Sequence, residues 1–182
     1  MKFKDNIKII FHYLAILCLA PVLFSSCGVY SFTGASISPN IQTISIQPVF
    51  NESGEGPANL SQVFTERLRD YFQQNTNLRL VDDDGDLQFE GHIASYTTMP
   101  IAAVASGTDN VPDEAGQTRL TITVSMSYVN VQDDQFNFNR SFSFYDDFDP
   151  RRTTLTSEEP RLIDTIFERI IFDIFNASVA NW

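Results

Sequence analysis

The strongest alternation in the chain runs from Arg119 to Val131. Leu120, Ile122, Val124, Met126 and Tyr128 fall on one side, and Thr121, Thr123, Ser125 and Ser127 on the other. Successive side chains of a strand point to opposite faces, so this segment reads as a strand with one apolar and one polar face. After a turn at Asp133-Asp134, Phe136, Phe138, Phe142 and Phe144 alternate with Asn137, Asn139, Ser141 and Ser143. The two runs form a hairpin of long strands. A sheet that is apolar on one side has to bury that side under a second layer.

Two segments have the spacing to supply that layer. Leu60, Val63, Phe64, Leu68, Tyr71 and Phe72 make one stripe on a helix over 60–74, with Asn59 as the expected N-cap. From about Glu158 to Ala180, Leu162, Ile163, Ile166, Phe167, Ile170, Ile171, Ile174 and Phe175 make a broader apolar face. Further strands are expected at 41–50, at 78–81 and at 87–99, the last continuing into 101–105. Loops are expected at 51–57, 106–117 and 146–156. Asp82–Asp86 with Gly85 reads as an Asp-Gly hairpin turn. The order β-α-β-β-β-β-α predicts an α/β (α+β) two-layer sandwich. Its sheet is mostly antiparallel, of about four to five strands, with two amphipathic helices on one face. The other sheet face, rich in Ser, Thr and Asn, is either wet or a contact surface.

Ahead of this domain stands a targeting segment. Lys2, Lys4 and Lys8 form a positive start, Ile9–Phe24 is apolar, and Ser25-Ser26 precede Cys27. Small residues directly before a Cys resemble a lipoprotein signal, in which that Cys becomes the acylated N-terminus. The expected division is a signal peptide over 1–26, a lipidated tether over 27–40 and a single domain over 41–182. An uncleaved anchor is the competing reading, although the apolar run is at the short edge for spanning a bilayer. Several acyl chains, at about 0.8 kcal/mol per buried methylene, would hold the protein firmly at a membrane surface.

Cleavage before Cys27 would remove every lysine and leave nine arginines against twenty-two acids, with one Cys and one His, His92. A chain so acidic is not a sequence-independent nucleic-acid binder. With so few Cys and His, hydrolase triads and zinc sites have little material. No catalytic residue, metal or cofactor is expected. Asp82, Asp84 and Asp86 invite a calcium reading, but an EF-hand loop started there would need Gly and Glu where Leu87 and Ile93 stand. His92 shares the polar side of its strand with Glu90 and Gln88 and reads as a surface residue. Three arginines are candidates for contact with an anionic ligand, through their forked guanidinium groups. They are Arg140, on the parity of Phe138 and Phe142, and the loop pair Arg151-Arg152. A paired arginine at the sheet rim is the plainer reading of Arg140, and a solvated loop that of the pair.

Taken in order, several segments are similar to the lipopolysaccharide-assembly lipoprotein (LptE) family in its Bacteroidota form. They are Cys27–Gly34, Leu60–Glu66, Gly85–Gly91, Arg119–Val124, Phe142–Asp147 and Ile174–Trp182. The resemblance implies a two-helix sandwich anchored in the outer membrane and facing the periplasm. It implies a non-enzymatic protein that plugs and helps assemble the LPS-assembly β-barrel, LptD, and supports lipopolysaccharide delivery to the outer leaflet. Direct lipopolysaccharide binding through basic side chains does not carry over, because no lysine follows Cys27. The absence of an acidic cluster after Cys27 favours the periplasmic leaflet. Two other readings compete: a different periplasmic lipoprotein scaffold, such as a cell-wall synthesis activator, and a lipid-anchored hydrolase dependent on His92. Fold alone does not choose among them.

Overall fold

The computed structural model describes residues 37–104 and 114–179. The elements are β1 (Thr43–Ile46), β2 (Phe50–Asn51), α1 (Leu60–Asn75), β3 (Arg79–Val81), β4 (Leu87–Val104), β5 (Glu114–Asn130), β6 (Phe138–Phe148) and α2 (Leu155–Ser178). A 3-10 turn, Asp134–Phe136, joins β5 to β6. One six-stranded sheet has the order β3-β1-β4-β5-β6, with β2 on β4. β4, β5 and β6 pair antiparallel, whereas β1 and β2 join parallel. The architecture is the predicted α+β two-layer sandwich, with slightly more strands.

Both helices cover one side of the sheet. Leu87, Phe89 and Ile93 of β4 and Leu120, Ile122, Val124, Met126 and Tyr128 of β5 are buried there. Phe72 of α1 meets Phe89 at 5.0 Å and Phe175 of α2 at 5.2 Å between ring centroids. Phe64 meets Phe167 edge-on at 4.9 Å, so aromatic contacts join the two helices as well as helix to sheet.

Several local expectations are corrected, each for a legible reason. The strand expected over 41–50 splits at Pro48, which has no N–H for a ladder. The next amide, Val49 N–H, leaves the sheet and donates to Thr65 Oγ1 of α1 at 3.0 Å. Asn59 makes no side-chain cap. α2 starts at Leu155 because Thr154 accepts from Ser157 N–H, and Pro160 is accommodated within its early turns. Phe136 lies in the 3-10 turn rather than in β6. Residues 114–117 of the expected 106–117 loop already belong to β5.

The largest revision concerns Asp82–Asp86, which is not a hairpin turn. β3 and β4 run parallel on either side of β1, so these residues carry the chain across β1. Gly85 passes so close that a Cβ would lie 2.4 Å from the Ser45 nitrogen and 2.7 Å from the Ile44 carbonyl carbon. Ser45 Oγ accepts from Gly85 N–H, and Thr43 Oγ1 accepts from Asp86 N–H. The Asp86 carboxylate in turn accepts from Gln42 N–H, Thr43 N–H and the Thr43 hydroxyl. The small polar side chains of β1 are what hold this crossover.

Candidate functional site

The sheet side away from the helices is a field of short polar side chains. Ser125 and Ser141 hydroxyls lie 2.8 Å apart across β5 and β6, and those of Thr123 and Ser143 3.0 Å apart. Thr121, Ser127 and Asn139 extend the same face by register. Cross-strand hydroxyl pairs hold such a face flat without spending charge on it. Where it meets β2, an open depression of about 570 Å³ is lined by Phe50, Glu52, Glu90, His92, Ser125 and Asn139, among others. His92 Nε2 stands 3.6 Å from Glu52 Oε2. Phe50, 67% exposed, forms an apolar projection at the rim.

At the other end of this face, Arg119 grips the Asp147 carboxylate with Nε at 2.9 Å and Nη2 at 3.0 Å. Its guanidinium lies 3.5 Å above the centre of the Tyr145 ring. Hydrogen bonding to Asp147 keeps the guanidinium even more firmly protonated than usual. The sequence reading missed this triad. Its signal was register: Arg119 opposes Asp147, and Tyr145 follows two positions back on the same face.

Beyond the Thr118–Phe148 pair β6 ends, but β4 and β5 go on pairing to Val104 and Glu114. The result is a two-stranded arm, flanked by no other strand among the described residues. Met99 and Ile101 at its base are exposed. The β4–β5 ladder is irregular on both sides of Ala102, and Pro100 sits next to one of these shifts.

The three candidate arginines are not brought together. Arg140 lies near the start of β6 on the helix side, exposed, opposite Met126 of β5. Its guanidinium sits 5.0 Å from the Phe138 ring and 4.7 Å from the Phe142 ring. Among the described residues it makes no ion pair. Arg151 and Arg152 follow the end of β6, at Phe148, roughly 26 Å further along the strand direction at 3.3 Å per residue. Arg151 is held by Asp149, with Nε and Nη2 each 3.0 Å from a carboxylate oxygen. That pairing pulls the Asp149 carboxyl below the usual range. Arg152 is exposed beside them.

Of the acidic run, Asp86 secures β1 and Asp83 accepts from Gln47 Nε2 at 2.8 Å. Among the described residues no three His, Cys, Asp or Glu side chains are grouped to hold a metal ion. Cys27, and residues 106–113 of the expected loop, lie outside the described residues.

Known proteins carry the reading further. No curated protein matches the chain. Among solved structures, a hypothetical protein from Chlamydia trachomatis superposes with a TM-score of 0.51 at 10% identity, covering 78% of this chain and 99% of that one. At that identity the likeness is one of fold. Rare lipoprotein B from Shewanella oneidensis gives a TM-score of 0.49 at 12% identity, covering 75% and 90% of the two chains. A minor lipoprotein from Acinetobacter baumannii gives 0.46 at 14%, covering 74% and 90%. Residues 41–178, nearly the whole of the described domain, match the family described as LptE, lipopolysaccharide-assembly, and the chain belongs to that family.

Proposed function

We propose that this protein is an outer-membrane lipoprotein, anchored through Cys27 and facing the periplasm. There it plugs the LPS-assembly β-barrel LptD, helps that barrel to assemble, and so supports lipopolysaccharide delivery to the outer leaflet. In this reading residues 1–26 are the signal peptide, 27–40 the lipidated tether and 41–182 the domain. The role is non-catalytic.

The observation that carries the reading is the Ser/Thr hydroxyl patch of β5 and β6, set between Glu90 and His92 of β4 and the Arg119–Asp147 pair, in a chain of this family. The inner wall of a membrane barrel is polar. A flat face of hydroxyls can trade its hydrogen bonds with such a wall without desolvating charge. Direct contact with an anionic ligand, in this reading, falls to Arg140, Arg151 and Arg152, of which Arg151 is also paired with Asp149.

The test is co-purification of the full lipidated chain from outer membranes. A large β-barrel protein should be recovered in a fixed ratio. Recovery of no such barrel, or of a soluble or inner-membrane partner instead, would overturn the proposal. Mass spectrometry of the mature N-terminus should find acyl chains on Cys27, and Cys27→Ala should remove them.

A further inference from the structure

Among the described residues β6 is an edge strand of eleven residues, paired to β5 on one side only. A long free edge is a template for another strand, most readily the same strand of a second copy in antiparallel, two-fold pairing. The C-terminal half of this edge is covered. Arg161 of α2 reaches over to the Asp146 carboxylate at 2.7 Å and to the Asp147 carbonyl at 3.5 Å. The N-terminal half has no such cover. Its outer-face residues Asn139, Ser141 and Ser143 are small and uncharged, and nothing about them opposes pairing.

Arg140 is the exception in that half. It occupies an inner-face position, between Phe138 and Phe142 and opposite Met126, which is fully buried. The guanidinium is exposed, and no strand among the described residues lies beyond β6. It lies over the two phenylalanine rings and lines a shallow depression with Asp173 and Asn176 of α2. A strand added about 4.8 Å away would bring its own inner-face side chains over that charge and strip its water, while Asp173, which lines the same depression, is already paired with Arg169. Two-fold pairing centred on this half would also set the two Arg140 charges close together.

We infer that Arg140 guards the free β6 edge against pairing with a second copy of this chain, and so keeps the domain monomeric. This inference is independent of any barrel partner.

The experiment is sedimentation velocity on the full lipidated chain in detergent micelles, with a benzophenone amino acid at Ser141 to report edge-to-edge contact. The unaltered chain and Arg140→Lys should be monomeric. Arg140→Val should dimerise with a dissociation constant at least tenfold lower and should photocrosslink to itself from Ser141. It should not do so from Gln62, an exposed position on α1. Arg140→Gln keeps the stem and removes only the charge, so it decides the matter if the valine variant does not fold. Folded, monomeric Arg140→Val or Arg140→Gln overturns the inference, as does self-crosslinking of the unaltered chain from Ser141 or equal crosslinking of a variant from Gln62.

Discussion

The Tyr96 hydroxyl donates to the Glu159 carboxylate across 2.5 Å, joining the middle of β4 to the first turns of α2. The Tyr96 ring is buried, and Gly56, at a φ of +86°, is the close neighbour that leaves room for it. Burial first, and then Glu159, hold the phenol well above its ordinary pKa of 10. The folded chain therefore keeps this proton at a pH where the unfolded chain has begun to lose it. The stabilisation is complete below about pH 10 and falls as pH rises beyond it. Tyr128, pushed up to about 12 by burial, adds to the same alkaline loss. Tyr96→Phe should cost about 1 kcal/mol at neutral pH, less than a fully buried charged hydrogen bond because Glu159 is half-exposed. It should also flatten the decline above pH 10. Urea unfolding at pH 7, 9 and 10.5 checks both.

At the acid end the corresponding group is Asp86. Gln42 N–H first, and then the Thr43 hydroxyl, hold its carboxyl below the usual value of 3.8. A depressed carboxyl contributes stability that is present above the unfolded pKa and is lost as pH falls through the folded one. Asp86→Ala should cost about 1–3 kcal/mol near neutrality by leaving the β1 amides without their acceptor. The difference from the unaltered chain should shrink below about pH 4. A constant difference from pH 7 to pH 2.5 in denaturant titrations would show that Asp86 acts otherwise.

The crossover over β1 makes a steric prediction that separates two glycines. A Cβ at Gly85 would meet backbone atoms of β1, which cannot swing away. Gly54 has open space around it and only a φ of +73° to satisfy. Gly54→Ala should therefore cost about 1 kcal/mol, and Gly85→Ala roughly 3 kcal/mol or more. Thermal unfolding followed by circular dichroism would rank them. The opposite ranking would mean that Asp82–Asp86 does not lie on β1.

The contrast between Gly85 and Leu120 shows what the sequence made legible. Leu120 to Tyr128 announce their strand because every second residue reports the same local fact, an apolar face. Asp82–Asp86 reports nothing local. Its role depends on β1, some forty residues earlier, and an Asp-Gly pair fits a hairpin turn equally well. The same holds for β1 itself, whose parallel pairing on both sides cannot be read from alternation. At the site, the polar face was legible as a run of Ser and Thr. The Arg119–Asp147 pair and the placement of Arg140 were not, because each needs the β5–β6 register. Parity alone placed Arg140 near apolar neighbours, and only the strand order shows that those neighbours stand at a free edge.

The polar face yields the sharpest functional prediction. Ser125 and Ser141 are mutually hydrogen-bonded on the open side of the sheet, away from the core. Replacing both with arginine loses one exposed hydroxyl pair and no packing, so the folded state should lose less than about 1 kcal/mol. Against a closely apposed barrel wall, however, two bulky cations have to be desolvated where a flat hydroxyl surface used to fit. The Ser125→Arg/Ser141→Arg double variant should keep its melting temperature within a few degrees, yet recover at least tenfold less barrel protein on co-purification. Arginines on the exposed side of α1, at Gln62 and Gln73, carry the same added charge and should leave recovery unchanged. Equal losses at the two sites would assign the effect to net charge. A loss confined to the Ser125–Ser141 pair identifies the β5–β6 hydroxyl face as the surface that meets the barrel.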